Sequence, residues 1–270
     1  MAVIPNTLHF CWFGGQPYPD VVERCIASWG ERLPDFTIVR WDESNAPTHL
    51  PYIADALADR NWAFASDAAR VEILREHGGV YLDTDMLVVD SLEPFLDHGF
   101  FAGAESAEFV NAAIIGAQRD HPVIHRLCEY YRSTTYDPQA LETIPRIITK
   151  VLADHGVIPS DEITGIGNPN SGEICIYPPR FFYPFPWEAS ARRDVDPESF
   201  AHPETAAIHL WNMSWIPWSR RVVGPYIEGE NFDDAWRVLS ARWKRQPLQR
   251  PIFYWLALRV TWARIRQRGG

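Results

Sequence analysis

The stretch Ser66 to Asp85, SDAARVEILREHGGVYLDTD, decides how this chain folds. Its first part is alanine-rich, and Ala69, Ile73 and Leu74 recur at helical spacing. Ser66 is placed to cap this helix, and His77-Gly78-Gly79 to end it. Val80 to Leu82 then reads as a short apolar strand that runs into Asp83 and Asp85. Residues i and i+2 of a strand share a face, so this spacing predicts two carboxylates pointing the same way. Two close carboxylates repel unless a cation or a proton sits between them. A hard divalent ion, Mn²⁺ or Mg²⁺, is the natural partner for such oxygens and keeps positions open for phosphate. Upstream, Asp67 and Arg70 lie i,i+3 on one helix face. Such a pair is either a surface ion pair, worth little, or a group that hydrogen-bonds a polyol.

Outward from this centre, Thr7 to Phe13 and Thr37 to Trp41 read as strands. A helix from Asp20 to Leu33 lies between them, with Asp20 as its cap, and a short helix opens at Pro51. Strand and helix alternate through the first hundred residues, the pattern of a parallel sheet with crossover helices. Further strands are expected at Phe100 to Ala104, Ala112 to Gly116 and Ala206 to Trp211. Helices are expected at His121 to Arg132, Gln139 to His155, Phe232 to Arg245 and Pro251 to Arg268. Ile158 to Trp187, rich in Pro, Gly, Asn and Tyr, reads as long loops. A second DxD, Asp194-Val195-Asp196, falls in a polar loop and reads as structural.

The 270 residues are 46% hydrophobic and 22% charged, which excludes a disordered or collagen-like chain. No window approaches 18 uninterrupted apolar residues, and the opening MAVIPNTLHF lacks a basic and then apolar leader. Cys11, Cys25, Cys128 and Cys175 are widely spaced, which favours reduced thiols over a disulfide scaffold or zinc ribbon. The net charge of −10 is uneven. Residues 235–270 carry nine basic and no acidic side chains, so the first 234 residues hold −19. A body this acidic is not expected to bind nucleic acid.

Four blocks in order resemble the family 32 glycosyltransferases. They are IPNTLHFCWFGGQPYP, SDxxR with EHGGVYLDTDM, FVNAAIIGAQRDHP and AIHLWNMSW. A similar block occurs in the clostridial glucosylating toxins. The resemblance covers most of residues 4 to 215. It implies a GT-A-type fold, α/β with a single Rossmann-like domain and a mixed central sheet. It also implies a nucleotide-sugar donor (UDP-sugar favoured over GDP-mannose), a divalent metal and retention at the anomeric carbon. Trp12 matches a Trp that stacks on the nucleobase, a role suited to an indole face. Asp67 and Arg70 match residues that hold the donor sugar's hydroxyls and the ribose or phosphate region. Asp83 would contact ribose or sugar, and Asp85 would bind the metal. His209 would be a further metal ligand. Asn212, Ser214 and Trp215 would donate hydrogen bonds to the diphosphate. Asn111 would lie near the donor or acceptor sugar, and Glu105 and Glu108 are acceptor-side carboxylates or solvated loop residues. Phe13 stands where the toxins have an aliphatic residue, and nothing after residue 215 matches a motif.

The expected organisation is a catalytic domain over 1–234 and a basic helical tail over 235–270. In the tail, QRPIFYWLALRVTWARIRQR mixes aromatic, aliphatic and arginine residues. It suits peripheral contact with anionic lipid through 246–268, or packing on the acidic body. The first option places the protein in the cytoplasm, on the inner face of the plasma membrane. There it would meet a saccharide or lipid-linked saccharide acceptor for cell-surface polysaccharide. Two rivals carry less of the pattern. A haloacid-dehalogenase-type phosphotransferase wants Thr or Val where Leu87 stands. A non-catalytic carbohydrate-binding protein has no use for Asp67, Arg70, Asp83 and Asp85 together.

Overall fold

The computed structural model describes residues 3–167, 173–191 and 195–212. β1 (Thr7–Cys11), α1 (Asp20–Arg32), β2 (Thr37–Trp41), α2 (Pro51–Ala58), α3 (Trp62–His77) and β3 (Gly79–Leu82) alternate as the sequence predicts. β1 pairs in parallel with both β2 and β3. The C-terminal ends of these three strands therefore open on one side, where ligands of open α/β sheets bind. The chain continues through β4 (Met86–Val88), β5 (Phe100–Ala104), β6 (Val110–Ala117), α4 (Pro122–Ser133) and α5 (Ile144–Asp154). It closes with β7 (Thr164–Ile166), β8 (Ile174–Tyr177), α6 (Pro179–Phe182) and β9 (Ala207–His209). Seven strands form one sheet in the order β2-β1-β3-β6-β5-β8-β7, and β4 and β9 form a two-stranded ribbon. β6 runs antiparallel to both β3 and β5, so the main sheet is mixed. The expected α/β class and mixed central sheet are both present.

Several local readings need correction. α3 starts at Trp62, and Ser66 lies inside it, its hydroxyl donating to the Trp62 carbonyl at 2.8 Å. Ser66 is therefore no cap; burial of α3 among apolar neighbours extends the helix past the local signal. Pro19 holds the cap position of α1, and Asp20 is the first helical residue. α5 begins at Ile144, where Pro145 suits the first turn of a helix. β7, β8 and α6 lie inside the stretch expected to be loops. The four residues of β8, ICIY, are all buried, and punctuation by Pro, Gly and Asn hid them. Asp196 accepts from the Glu198 amide at 3.2 Å and caps a short 3₁₀ turn, Pro197–Phe200. Asp194 lies outside the described residues. So do Ser214, Trp215, the 234/235 boundary and both expected tail helices. Trp187–Ala191, a single 3₁₀ turn, belongs to a second compact unit.

Two contacts fix the DxD segment in place. Gly79 has φ +99°, and a Cβ there would sit 2.5 Å from the Thr7 carbonyl, so β3 can approach β1 only with glycine. Trp29, fully buried on α1, donates its indole N–H to the Met86 carbonyl at 2.8 Å and packs edge-on against Phe10. The four cysteines are buried and free. No helix among the described residues is long and apolar enough to cross a membrane.

Two buried histidines set an acid limit on stability. The His9 Nδ1 accepts from the Trp41 indole at 3.1 Å, so its Nε2–H donates to the Gly78 carbonyl at 2.9 Å. His121 uses the same pattern, accepting from the Val123 amide and facing the Glu173 carbonyl. Burial is the main cause that pulls both imidazoles down to about 4. Between pH 6.5 and about 4 the unfolded chain binds more protons than the fold at these two sites. Stability is therefore full above 6.5 and falls as pH drops toward 4. Each histidine costs at most about 3 kcal/mol, at 1.36 kcal/mol per unit. Urea unfolding from pH 7 to 4 should show the decline, and His9→Gln should flatten it; an equally steep decline in that variant would acquit His9.

Candidate active site

Asp83 and Asp85 come together differently from the sequence expectation. They flank a turn between β3 and β4, closed by the Met86 amide donating to the Asp83 carbonyl at 3.0 Å. Strand alternation therefore does not align them. The turn directs both carboxylates toward the C-terminal end of β9, where Met86 pairs with His209 in the ribbon. One ligand atom from each of Asp83, Asp85 and His209 lies within 4.8 Å of the others.

Each of the three is held differently. Asp85 faces the His209 Nε2 through Oδ1 at 3.3 Å and accepts the Asn212 amide on Oδ2 at 2.8 Å. Its own carbonyl accepts the Leu210 amide at 2.9 Å. Burial would raise the Asp85 carboxyl, but His209 and these hydrogen bonds outweigh it and hold it below the usual range. His209 is correspondingly raised, burial opposing and Asp85 prevailing. Trp211 packs on the imidazole at 4.1 Å, and Tyr183 meets it edge-on. Among the described residues, the His209 Nδ1 is buried without a hydrogen-bond partner. Two carboxylates and an imidazole with an unused nitrogen form a donor set that fits a divalent cation.

Behind the turn lies a buried charge network. Arg70, 3% exposed on α3, reaches Asp67 at 2.7 Å and Asp83 at 3.1 Å. It also donates to the Ala112 carbonyl of β6 at 2.7 Å, while the Asp83 amide donates to the Ala113 carbonyl. Burial raises the Asp67 carboxyl to about 7, against the pull of Arg70. Burial likewise raises Asp83, again opposed by Arg70. Beside the network, the Asn111 amide donates to Glu105 at 2.5 Å and its carbonyl oxygen accepts from Ala113. A register shift between Ala102 and Gly103 leaves Glu105 just beyond β5, facing this region. Glu108 is exposed in the following loop.

Trp12 continues from β1, its indole N–H donating to the Gln16 carbonyl at 2.7 Å and its ring edge-on to Tyr18. The β1–β3 register carries the chain just before it alongside Asp83. Asp67, Arg70, Asp83, Asp85 and His209 thus come together, with Asn111 beside them and the Asn212 backbone at their edge. Sequence reasoning missed Tyr183, which lies in the stretch read as loops. It also missed Tyr131, buried on α4, whose hydroxyl feels the Asp67 charge.

This chain resembles known glycosyltransferases. The family described as "Glycosyltransferase sugar-binding region containing DXD motif" matches residues 19–102. Lactosylceramide 4-alpha-galactosyltransferase of Rattus norvegicus is 30% identical over 156 residues, 54% of this chain and 40% of that protein. Its Pan troglodytes counterpart is 27% identical over 67% of this chain and 48% of its own length. Human alpha-1,4-N-acetylglucosaminyltransferase is 27% identical over 58% of this chain and 45% of its length. The chain thus spans less than half of each of these relatives. Among solved structures, the PaToxG glycosyltransferase aligns with TM-score 0.45 at 18% identity, over 56% of this chain and 70% of that one. The matched segment holds Asp67, Arg70, Asp83 and Asp85 together. Residues 19–102 of this chain are therefore similar to a glycosyltransferase sugar-binding region containing the DXD motif.

Proposed function

We propose that the protein is a metal-dependent, retaining hexosyltransferase. It moves a sugar from a nucleotide donor, UDP-sugar rather than GDP-mannose, to a saccharide or lipid-linked saccharide. The observation that carries this reading is the convergence of Asp83, Asp85 and His209 beside the Asp67–Arg70 pair. A divalent ion bound there, Mn²⁺ or Mg²⁺, supplies Lewis-acid stabilisation of the departing diphosphate. Asp85, His209 and Asp83 would hold the ion. Trp12 stacks on the base, and Asn212, with Ser214 and Trp215 beyond the described residues, donates to the diphosphate. Asp67 keeps one carboxylate oxygen for donor hydroxyls, and Asn111 and Glu105 line the sugar side.

Retention is assigned to front-side attack, in which a donor phosphate oxygen takes the acceptor proton. A sugar trapped covalently on Glu105 or Glu108 would overturn that route. A phosphotransferase reading requires Asp83 as nucleophile, and Arg70 engages both of its oxygens. The catalytic domain is assigned to 1–234. The basic tail, 235–270, is assigned to anionic lipid at the inner face of the plasma membrane, close to capsule-type acceptors. Membrane pelleting by a 1–246 truncation at the full-chain level would overturn that assignment.

The decisive test is a thermal-shift panel of UDP, GDP and CMP, each with and without Mn²⁺. A ligand at 100 times its dissociation constant adds about 2.7 kcal/mol. The expected result is a Mn²⁺-dependent shift with UDP. No shift with any nucleotide would overturn the reading.

A further inference from the structure

Trp211 lies in the left-handed region of the backbone, at φ +52°. Among the described residues, only Arg60 and Asp120 share that region without being glycine. A bulky side chain rarely goes there, because its Cβ crowds the chain, and it stays only where its surroundings hold it. Trp211 is held twice. Its indole N–H donates to the Phe185 carbonyl at 2.7 Å. Its ring packs on the His209 imidazole, centres 4.1 Å apart, and on Tyr183 at 6.0 Å. The turn has a consequence for Asp85. β4 and β9 pair with Met86 opposite His209, and the Leu210 amide extends the ladder to the Asp85 carbonyl at 2.9 Å. In that register an extended chain would carry Asn212 on to face Asp83. The left-handed residue breaks this course, and the Asn212 amide donates to Asp85 Oδ2 at 2.8 Å instead. One neighbour of Trp211 thus meets each oxygen of a single carboxylate, since the His209 Nε2 stands 3.3 Å from Oδ1. Each oxygen keeps a lone pair for another partner.

We propose that Trp211 is a positioning residue of the cation site: its left-handed backbone, pinned through the indole to the Phe185 carbonyl, sets His209 and Asn212 on the two oxygens of Asp85. This rests on the metal-dependent reading above. Trp211 acts through Asp85 and His209 rather than by contact with the ion. Its backbone and its ring contribute separately. Glycine adopts the same φ without strain but has no ring to anchor it. Phenylalanine keeps a ring for His209 but loses the bond to Phe185. Alanine loses both anchors and keeps the strain.

The test is calorimetric titration with Mn²⁺ alone, on the full chain, with no donor and no acceptor, beside a thermal melt of each variant. Wild type binds Mn²⁺, and Asp85→Asn does not. Trp211→Ala is expected to weaken Mn²⁺ binding about 10-fold or more, the range that outer partners of metal ligands carry. Trp211→Gly is expected to bind about 5-fold or more tighter than Trp211→Ala, because it makes the turn freely. Trp211→Phe is expected to lie between Trp211→Ala and wild type. Packing alone gives the opposite order for the two small residues, since glycine removes more side chain and leaves a looser chain. Trp211→Ala binding as tightly as Trp211→Gly, or tighter, therefore overturns the proposal. A lowered melting temperature with wild-type Mn²⁺ affinity in Trp211→Ala marks a purely structural role; it overturns the proposal and leaves the metal-dependent reading standing. Absence of Mn²⁺ binding by wild type overturns both. If Trp211→Ala does not fold, Trp211→Phe carries the test, and wild-type Mn²⁺ affinity in that variant overturns the proposal.

Discussion

Asp85→Asn is expected to lower sugar transfer by about 10³-fold while the fold persists. The variant keeps the volume of a buried side chain, so packing around it is unchanged. What it loses is charge where two donors converge: His209 at 3.3 Å and the Asn212 amide at 2.8 Å. The loss of a cation's Lewis-acid role removes several kcal/mol of transition-state stabilisation, and each 1.36 kcal/mol is about tenfold in rate. The check is initial-rate release of UDP from a UDP-hexose, with circular dichroism confirming the fold. Wild-type turnover in this variant would remove Asp85 from the catalytic machinery. A loss matched by equal unfolding would make Asp85 a structural residue instead.

Trp29→Ala has the largest expected effect on stability. The side chain is fully buried between α1 and the sheet and contacts Phe10 edge-on. Truncating such an aromatic costs about 3–5 kcal/mol in lost burial and residual cavity. The Met86 carbonyl also loses the indole N–H that it accepts at 2.8 Å. For a chain of this size the melting temperature should fall by about 10 °C. Trp29→Phe should recover most of the volume term but not the hydrogen bond, and so fall between the two. A Trp29→Ala variant that melts with wild type would show that the α1–β4 contact contributes little. Because Met86 follows Asp85 directly, the alanine variant is also expected to loosen the turn before the whole domain unfolds.

The first half of the chain was legible because its signals are local. Alternating strand and helix, Pro51, and Gly78-Gly79 mark boundaries that the structure keeps. The second half was less so. β8 is only four residues long, and its place between β5 and β7 depends on pairings far away in sequence. β4 was hidden because Met86 to Val88 looks like the continuation of β3, yet the chain turns at Asp83 and leaves the main sheet. Within the candidate site, the DxD pair could be named from its spacing, and His209 from the family resemblance. Their mutual geometry could not, since a turn and a two-stranded ribbon set it. The state of Arg70 was equally illegible: an i,i+3 spacing to Asp67 says nothing about Ala112 or Asp83. Tyr183 lacked any signal, as its neighbours are brought together only by the sheet.

The turn at Asp83–Asp85 is also the place where the chain passes from the seven-stranded sheet to the β4–β9 ribbon. Asp83 is moored to α3 and β6 on the sheet side, while Asp85 and His209 are moored on the ribbon side. An ion gripped by all three would act as a rivet through two plates. It would stitch the ribbon to the sheet, adding to the Trp29–Met86 bond that already ties β4 to α1. Nucleotide release and the loosening of β9 would then be one mechanical event.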